Sequence, residues 1–198
     1  MSSHKTNFFK AGILALLAIF GLAACGGGPA RNPGTGTYAA RGTGTYAAHG
    51  VSFRYPAGWY EDIPGGPAPC CGAHPLWTAR VGLDSTDMIY IAASRLPGRM
   101  TAQKLSALIP AITQEERDLY RHLGGRLLTG PQAITVNGMP GYRVQGTGRL
   151  HGTAAKTTQA EFFNGMTAYG VVCGYTPGKA QAVQRGCAQV LRTFKVSR

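Results

Sequence analysis

The chain has 198 residues, enough for one domain with added segments, and its 44% hydrophobic content is ordinary for a globular core. It is basic, with a formal net charge of +12 from 20 Lys and Arg against 8 Asp and Glu. No run of basic residues and no interleaving of basic with aromatic residues occurs, which argues against nucleic acid as a partner. The first predicted element is the apolar run Ala11–Ala24, preceded by His4, Lys5 and Lys10. Its 14 residues are too few to span a bilayer comfortably and fit the hydrophobic region of a signal peptide.

The run ends in Leu22-Ala23-Ala24-Cys25 followed by Gly-Gly-Gly-Pro, which resembles the lipobox of bacterial lipoproteins. The resemblance implies diacylglyceryl transfer to the Cys25 thiol, cleavage before Cys25 and a signal peptide over residues 1–24. At about 0.8 kcal/mol per buried CH₂, two or three acyl chains hold a protein on a membrane durably. The expected location is extracytoplasmic, on the outer face of the cell membrane or at an outer membrane. An ordinary signal peptide cleaved after Ala-x-Ala, and a short uncleaved anchor, are the competing readings. Removing residues 1–24 takes away Lys5 and Lys10 and leaves a net charge of +10. At an envelope such a charge gives weak attraction to anionic lipids or polymers.

Residues 25–44 are dominated by Gly, Thr, Pro, Ala and Arg, with a single aromatic, Tyr38. This composition buries too little apolar surface to offset its ordering entropy, and reads as a flexible tether. It holds part of a tandem duplication, Gly34–Arg41 and Gly42–His49, each copy also matching the G-x-G-x-x-A of dinucleotide-binding folds. Neither copy has a hydrophobic strand before it or a helix behind it, so no nucleotide is expected.

One domain is expected over residues 45–198. Val51, Phe53 and Tyr55 alternate after a His49-Gly50 turn and predict a half-buried strand. Ala68–Trp77 reads as a loop, and Thr78–Asp84 and Asp87–Leu96 as two strands joined at Ser85-Thr86. Met100–Gly125 has helical spacing, with Thr101 as N-cap, Gly124 as stop and a kink or break at Pro110. Pro131–Leu150 predicts a hairpin around Asn137-Gly138, and Lys156–Thr176 another around Asn164-Gly165. A last helix opens with Thr176 as N-cap and Pro177 at its first position, with apolar residues at 180, 183, 187, 190, 191 and 194 on one face. Hairpin-connected strands with few helices point to an α+β fold, an antiparallel sheet covered by helices.

The opening Gly-Val-Ser-Phe-Arg-Tyr-Pro-Ala-Gly-Trp (50–59), the middle helix, the Val-Asn-Gly-Met-Pro-Gly-Tyr-Arg-Val hairpin (136–144) and the ending Leu-Arg-Thr-Phe-Lys-Val (191–196) resemble PsbP-like domains. The resemblance covers the expected domain and implies an α/β/α sandwich around a central antiparallel sheet. It implies partner binding or assembly work, and it brings no catalytic residues. The Cys70-Cys71-Gly-Ala-His74 segment and the duplicated tether lie outside that pattern.

With Cys25 assigned to lipid, Cys70, Cys71, Cys173 and Cys187 remain, and an exported protein is in a disulfide-permissive place. A Cys173–Cys187 disulfide, joining the last long strand to the last helix, is expected to stabilise by roughly 3 kcal/mol; two reduced buried cysteines are the alternative. Cys70, Cys71 and His74 could hold a soft metal, but adjacent cysteines are unlike the usual C-x-x-C ligand spacing. A vicinal disulfide, or cross-pairing with Cys173 and Cys187, is the structural reading. His49, His122 and His151 are scattered. No nucleophile elbow, H-E-x-x-H helix or phosphate-cradling loop is present. Glu61-Asp62, Asp84, Asp87, Glu115, Glu116 and Asp118 read as solvated or capping residues, and Glu161 has no partner visible in the sequence. Tyr55, Trp59, Tyr60 and Trp77 read as core.

The expected function is therefore a non-catalytic binding, scaffold or assembly-accessory role at the envelope. The protein would be held to the membrane through Cys25 and would act with an envelope protein, without a cofactor. The alternatives are metal or redox handling by Cys70, Cys71 and His74, and carriage of a small apolar ligand between helix and sheet.

Overall fold

The computed structural model describes residues 44–61, 75–150 and 152–197. Cys25, Cys70, Cys71 and His74 lie outside the described residues, as does the first copy of the duplication. In chain order the elements are β1 (Thr45–Ala48), β2 (Val51–Arg54), β3 (Tyr60–Glu61), β4 (Trp77–Gly82) and β5 (Met88–Arg95). Then come α1 (Ala102–His122), β6 (Arg126–Val136), β7 (Met139–Leu150), β8 (Thr153–Asn164) and β9 (Thr167–Tyr175). A 3₁₀ turn (Pro177–Lys179), α2 (Ala180–Thr193) and β10 (Lys195–Val196) complete the fold. Among the described residues no helix is long and apolar enough to cross a membrane.

Seven strands form one antiparallel sheet in the order β3-β4-β5-β9-β8-β7-β6, and β1-β2-β10 form a second. Turn chemistry sets the registers. His49-Gly50 and Asn137-Gly138 are two-residue loops with both residues at positive φ, the type I′ geometry that matches strand twist. The β8–β9 loop is one residue later than its sequence predicts. Asn164 pairs with Thr167, so Gly165 and Met166 form the loop, and only Gly165 (φ 63°) is at positive φ. Glycine at the first central position is the type II′ solution, which leaves Asn164 free to extend the strand. Trp77, expected in a loop, begins β4 by pairing with Ala93.

Helices cover both faces of the large sheet. On one face α2 and the small sheet enclose Phe53, Tyr55, Trp59, Ile89, Ile91, Phe162, Val171, Val183, Val190 and Phe194. The expected disulfide joins Cys173 of β9 to Cys187 of α2 across this core, with Cα atoms 6.1 Å apart. Tyr55 and Trp59 are core residues, and the half-buried Trp77 packs against the rings of His49 and Tyr46 at the margin. Thr176 precedes the 3₁₀ turn, but its side chain does not cap it. Its hydroxyl donates to the carboxylate of Asp87 (3.0 Å), which also accepts the Thr176 N–H (2.7 Å). Asp87 is thus a buried strut between β5 and the end of β9, where a solvated or capping residue was expected. Gly44, placed in the tether by its composition, is buried and accepts the Tyr55 N–H through its carbonyl.

On the opposite face α1 packs through Leu105, Ile112 and Tyr120 against Tyr142, Val144, Phe163 and Ala168. Thr101 caps it by accepting the Lys104 N–H (3.3 Å), and Gly124 (φ 68°) follows its end. Pro110 does not divide it, since the helix runs unbroken for 21 residues. Proline removes one backbone bond, to the carbonyl of Ser106. Both residues are exposed, so water can take that carbonyl while the packed face holds the helix together.

Candidate functional site

Alternation along β8 turns Ala160 and Phe162 toward α2, and Thr157, Gln159, Glu161 and Phe163 toward α1. A row of three polar side chains is therefore roofed by a helix. The helix answers with polar groups of its own. Tyr120 and Thr157 share a hydrogen bond of 2.7 Å, and Gln159 Nε2 donates to Glu116 Oε1 at 3.1 Å. Cross-strand from Glu161, the Tyr142 hydroxyl donates to Glu161 Oε2 at 2.6 Å. Tyr120 reaches Thr157 because Gly146 of β7 lies directly under its ring, where a Cβ would collide.

Both carboxyl groups are sealed, with Glu116 0% and Glu161 1% exposed. Burial pushes Glu116 up to about 8, and the nearby Glu161 charge adds to the rise. Burial likewise pushes Glu161 up to about 7, against the stabilising Tyr142 hydrogen bond. Tyr142 is driven well above its ordinary value by burial and by these acids, so it remains a neutral donor. Glu115 Oε2, Glu116 Oε2 and Glu161 Oε1 are buried without a hydrogen-bond partner among the described residues. A proton retained on the pair converts an acceptor into a donor, the least costly way to house such oxygens. The two carboxyls titrate as a coupled pair that holds protons toward neutral pH.

This placement corrects two readings of the sequence. Glu116 is not on the solvated face of α1; it fills the core-facing position between Ile112 and Tyr120, one turn from each. Glu161 has a partner, Tyr142, brought opposite it by the β7–β8 register. The signal for Glu116 was its i+4 spacing from Ile112 and to Tyr120, masked by the charged neighbours Glu115, Arg117 and Asp118. Asp84 is a capping residue as expected, accepting the N–H groups of Thr86 and Asp87 at 2.8 Å each. Glu61 accepts from the Tyr55 hydroxyl. Among the described residues no group of three His, Cys, Asp or Glu side chains could hold a metal ion.

Two shallow grooves open at the C-terminal end of α1. One, about 310 Å³, is lined by Arg117, Arg121, Arg126, Leu127 and Leu128 with two glycines. The other, about 350 Å³, has Arg149 and Lys156 beside Ala154, Ala155, Pro177 and small backbone positions. Gly125 lines both, so the two are neighbours. Neither is lined by Glu116 or Glu161. Burial has also sorted the charge. Among the described residues Asp118 is the only exposed acid, with Glu61, Asp84 and Glu115 half-buried, whereas every Lys and Arg except Arg80 is exposed. Asp118 pairs with Arg121 at 2.8 Å, leaving this end of the molecule strongly basic.

No protein-family model and no curated protein matches the chain. Solved structures do resemble it. The solution structure of cyanobacterial PsbP (CyanoP) from Synechocystis aligns with a TM-score of 0.53 at 15% identity, covering 82% of this chain and 98% of CyanoP. LpqN of Mycobacterium tuberculosis, described as involved in cell envelope biogenesis, aligns with a TM-score of 0.50 at 12% identity, covering 75% of this chain and 83% of LpqN. A Bacteroides thetaiotaomicron protein aligns with a TM-score of 0.47 at 12% identity over 78% of this chain, which spans about half (48%) of that protein's length. The central antiparallel sheet between two helices is thus a PsbP-like α+β fold.

Proposed function

We propose that this chain is an exported bacterial lipoprotein, anchored through acylated Cys25, with a non-catalytic binding or assembly-accessory role at the envelope. The observation that supports it best is the division of charge between interior and surface. The carboxyls able to exchange a proton near neutral pH are sealed under α1, while the open grooves carry arginines suited to binding. A group with no access to a reactant holds a helix in place and does not turn a substrate over. The PsbP-like fold, shared with an envelope-biogenesis protein, supports the same reading, as does the lipobox. Residues 26–43 then act as the tether, and an envelope protein is the partner.

The test is made in intact cells. Growth with an alkyne palmitate analogue should label the wild-type chain and leave the Cys25→Ala variant unlabelled. Cross-linking of the labelled protein, followed by mass spectrometry, should recover the same envelope protein in repeated experiments. Absence of label defeats the anchor. A turnover by the purified protein that a single carboxylate or cysteine substitution abolishes, with the fold intact, defeats the non-catalytic role.

A further inference from the structure

The grooves at the end of α1 have a feature that a tether and a structural core leave unused. Cations from four different elements converge around Gly125: Arg117 and Arg121 from α1, Arg126 from β6, Arg149 from β7 and Lys156 from β8. All five are exposed, whereas Asp118 is the only acid in the exposed class among the described residues. Arg121 lies in the last turn of α1, where it also offsets the helix dipole. Arg117 is more than a turn inside the helix and Arg126 is beyond it, so that explanation does not reach them. Leu128 lines the first groove with these arginines; it is 44% exposed and one of three exposed large apolar side chains among the described residues, with Leu76 and Met166.

We propose that this face docks against an anionic phospholipid surface, with the arginines on phosphate head groups and Leu128 at the acyl boundary. Charge complementarity selects an anion, and the breadth of the array selects a surface. The cations ring two open grooves in place of closing over one small ligand. An exposed leucine among arginines gains from a boundary that is charged outside and apolar beneath, which a soluble polyanion does not offer. The inference rests on the reading that Cys25 tethers the protein at a membrane. Docking would then hold the α1 end of the fold against the bilayer, leaving the α2 face free.

The test uses the full chain carrying Cys25→Ala, so that acylation contributes nothing. Binding is measured by co-sedimentation with phosphatidylcholine vesicles and with vesicles containing phosphatidylglycerol. Any apolar contribution from residues 1–24 is common to both lipids, and the ratio between them isolates the charge-dependent part. A basic residue near an anionic surface contributes about fivefold at low salt, so Arg117→Gln, Arg121→Gln and Arg126→Gln together should lower binding to phosphatidylglycerol by about tenfold to one hundredfold. Salt at about 0.5 M should remove most of the preference. Arg185→Gln, Arg192→Gln and Lys195→Gln remove equal charge from α2 and β10, on the other face of the large sheet, and should cost no more than about threefold. Melting temperatures confirm that both triple variants fold. Equal binding to the two lipids overturns the proposal, and so does an equal loss from the two triple variants. Neither result depends on Cys25, so failure of the palmitate labelling remains a separate outcome.

Discussion

Replacing Glu116 with glutamine should stabilise this protein, and should do so increasingly as pH rises. Glu116 is 0% exposed and its carboxyl is raised from an ordinary 4.5 to about 8, so the folded state keeps a proton that the unfolded chain releases. Where the folded state binds more protons, stability falls with rising pH. The contribution is fully present below pH 4.5 and is lost as pH climbs through about 8. At 1.36 kcal/mol per pH unit the loss is about 3 kcal/mol by pH 7 and about 5 kcal/mol above pH 8, both upper values because Glu161 is coupled to it. Glu161, raised to about 7, contributes with the same sign. Glutamine keeps an oxygen for Gln159 and places an amide where the partnerless Oε2 stood. Thermal melts of wild type and Glu116→Gln, at half-unit steps from pH 4.5 to 9, isolate this pair from the exposed charges. The curves should meet near pH 4.5 and separate by about 6–12 °C at pH 7, taking 2–4 °C per kcal/mol. Parallel curves across that range would refute the reasoning, because they would mean Glu116 titrates alike in both states.

Three further substitutions probe the frame around the site. Cys173→Ala with Cys187→Ala should cost about 3 kcal/mol by releasing a loop of sequence separation 14, seen as a fall in denaturation midpoint that added reductant no longer deepens. Gly146→Ala drives a methyl into the Tyr120 ring and should cost about 1–3 kcal/mol; a Tyr120→Leu background should recover part of it, and full tolerance of the methyl would contradict the close packing. Asp87→Ala leaves the half-buried Thr176 N–H without its acceptor and should cost about 1–3 kcal/mol, while Asp87→Asn should cost less; equal losses would show that the carboxylate is not the strut described.

Local chemistry was legible where it acts locally. His49-Gly50 and Asn137-Gly138 announce their hairpins because few residue pairs accept two positive φ values in succession. Thr101 announces the start of α1 by the hydroxyl it offers to the Lys104 N–H. The α2 face is readable from a stripe that ends in Val190 and Phe194, and that stripe placed Cys187 where it meets Cys173. Residues whose roles depend on two distant elements were less legible. Glu116, Glu161 and Asp87 look like surface acids in their own segments, and only the docking of α1 and the meeting of β5 with β9 bury them.

What the sequence determined by itself is the lipobox resemblance, the order of hairpins and helices, and a basic net charge, each set by neighbours along the chain. Only the tertiary structure decided where that charge lies. By burying Asp87, Glu116 and Glu161, the packed sheet and helices left a surface on which Asp118 is the only exposed acid among the described residues, Glu61, Asp84 and Glu115 being half-buried. It also gathered the arginines of α1, β6 and β7 beside one glycine turn. Desolvation depends on what covers a side chain. For these residues the cover comes from segments 37 to 89 positions away, as in Tyr120 with Thr157, Glu116 with Gln159, and Asp87 with Thr176.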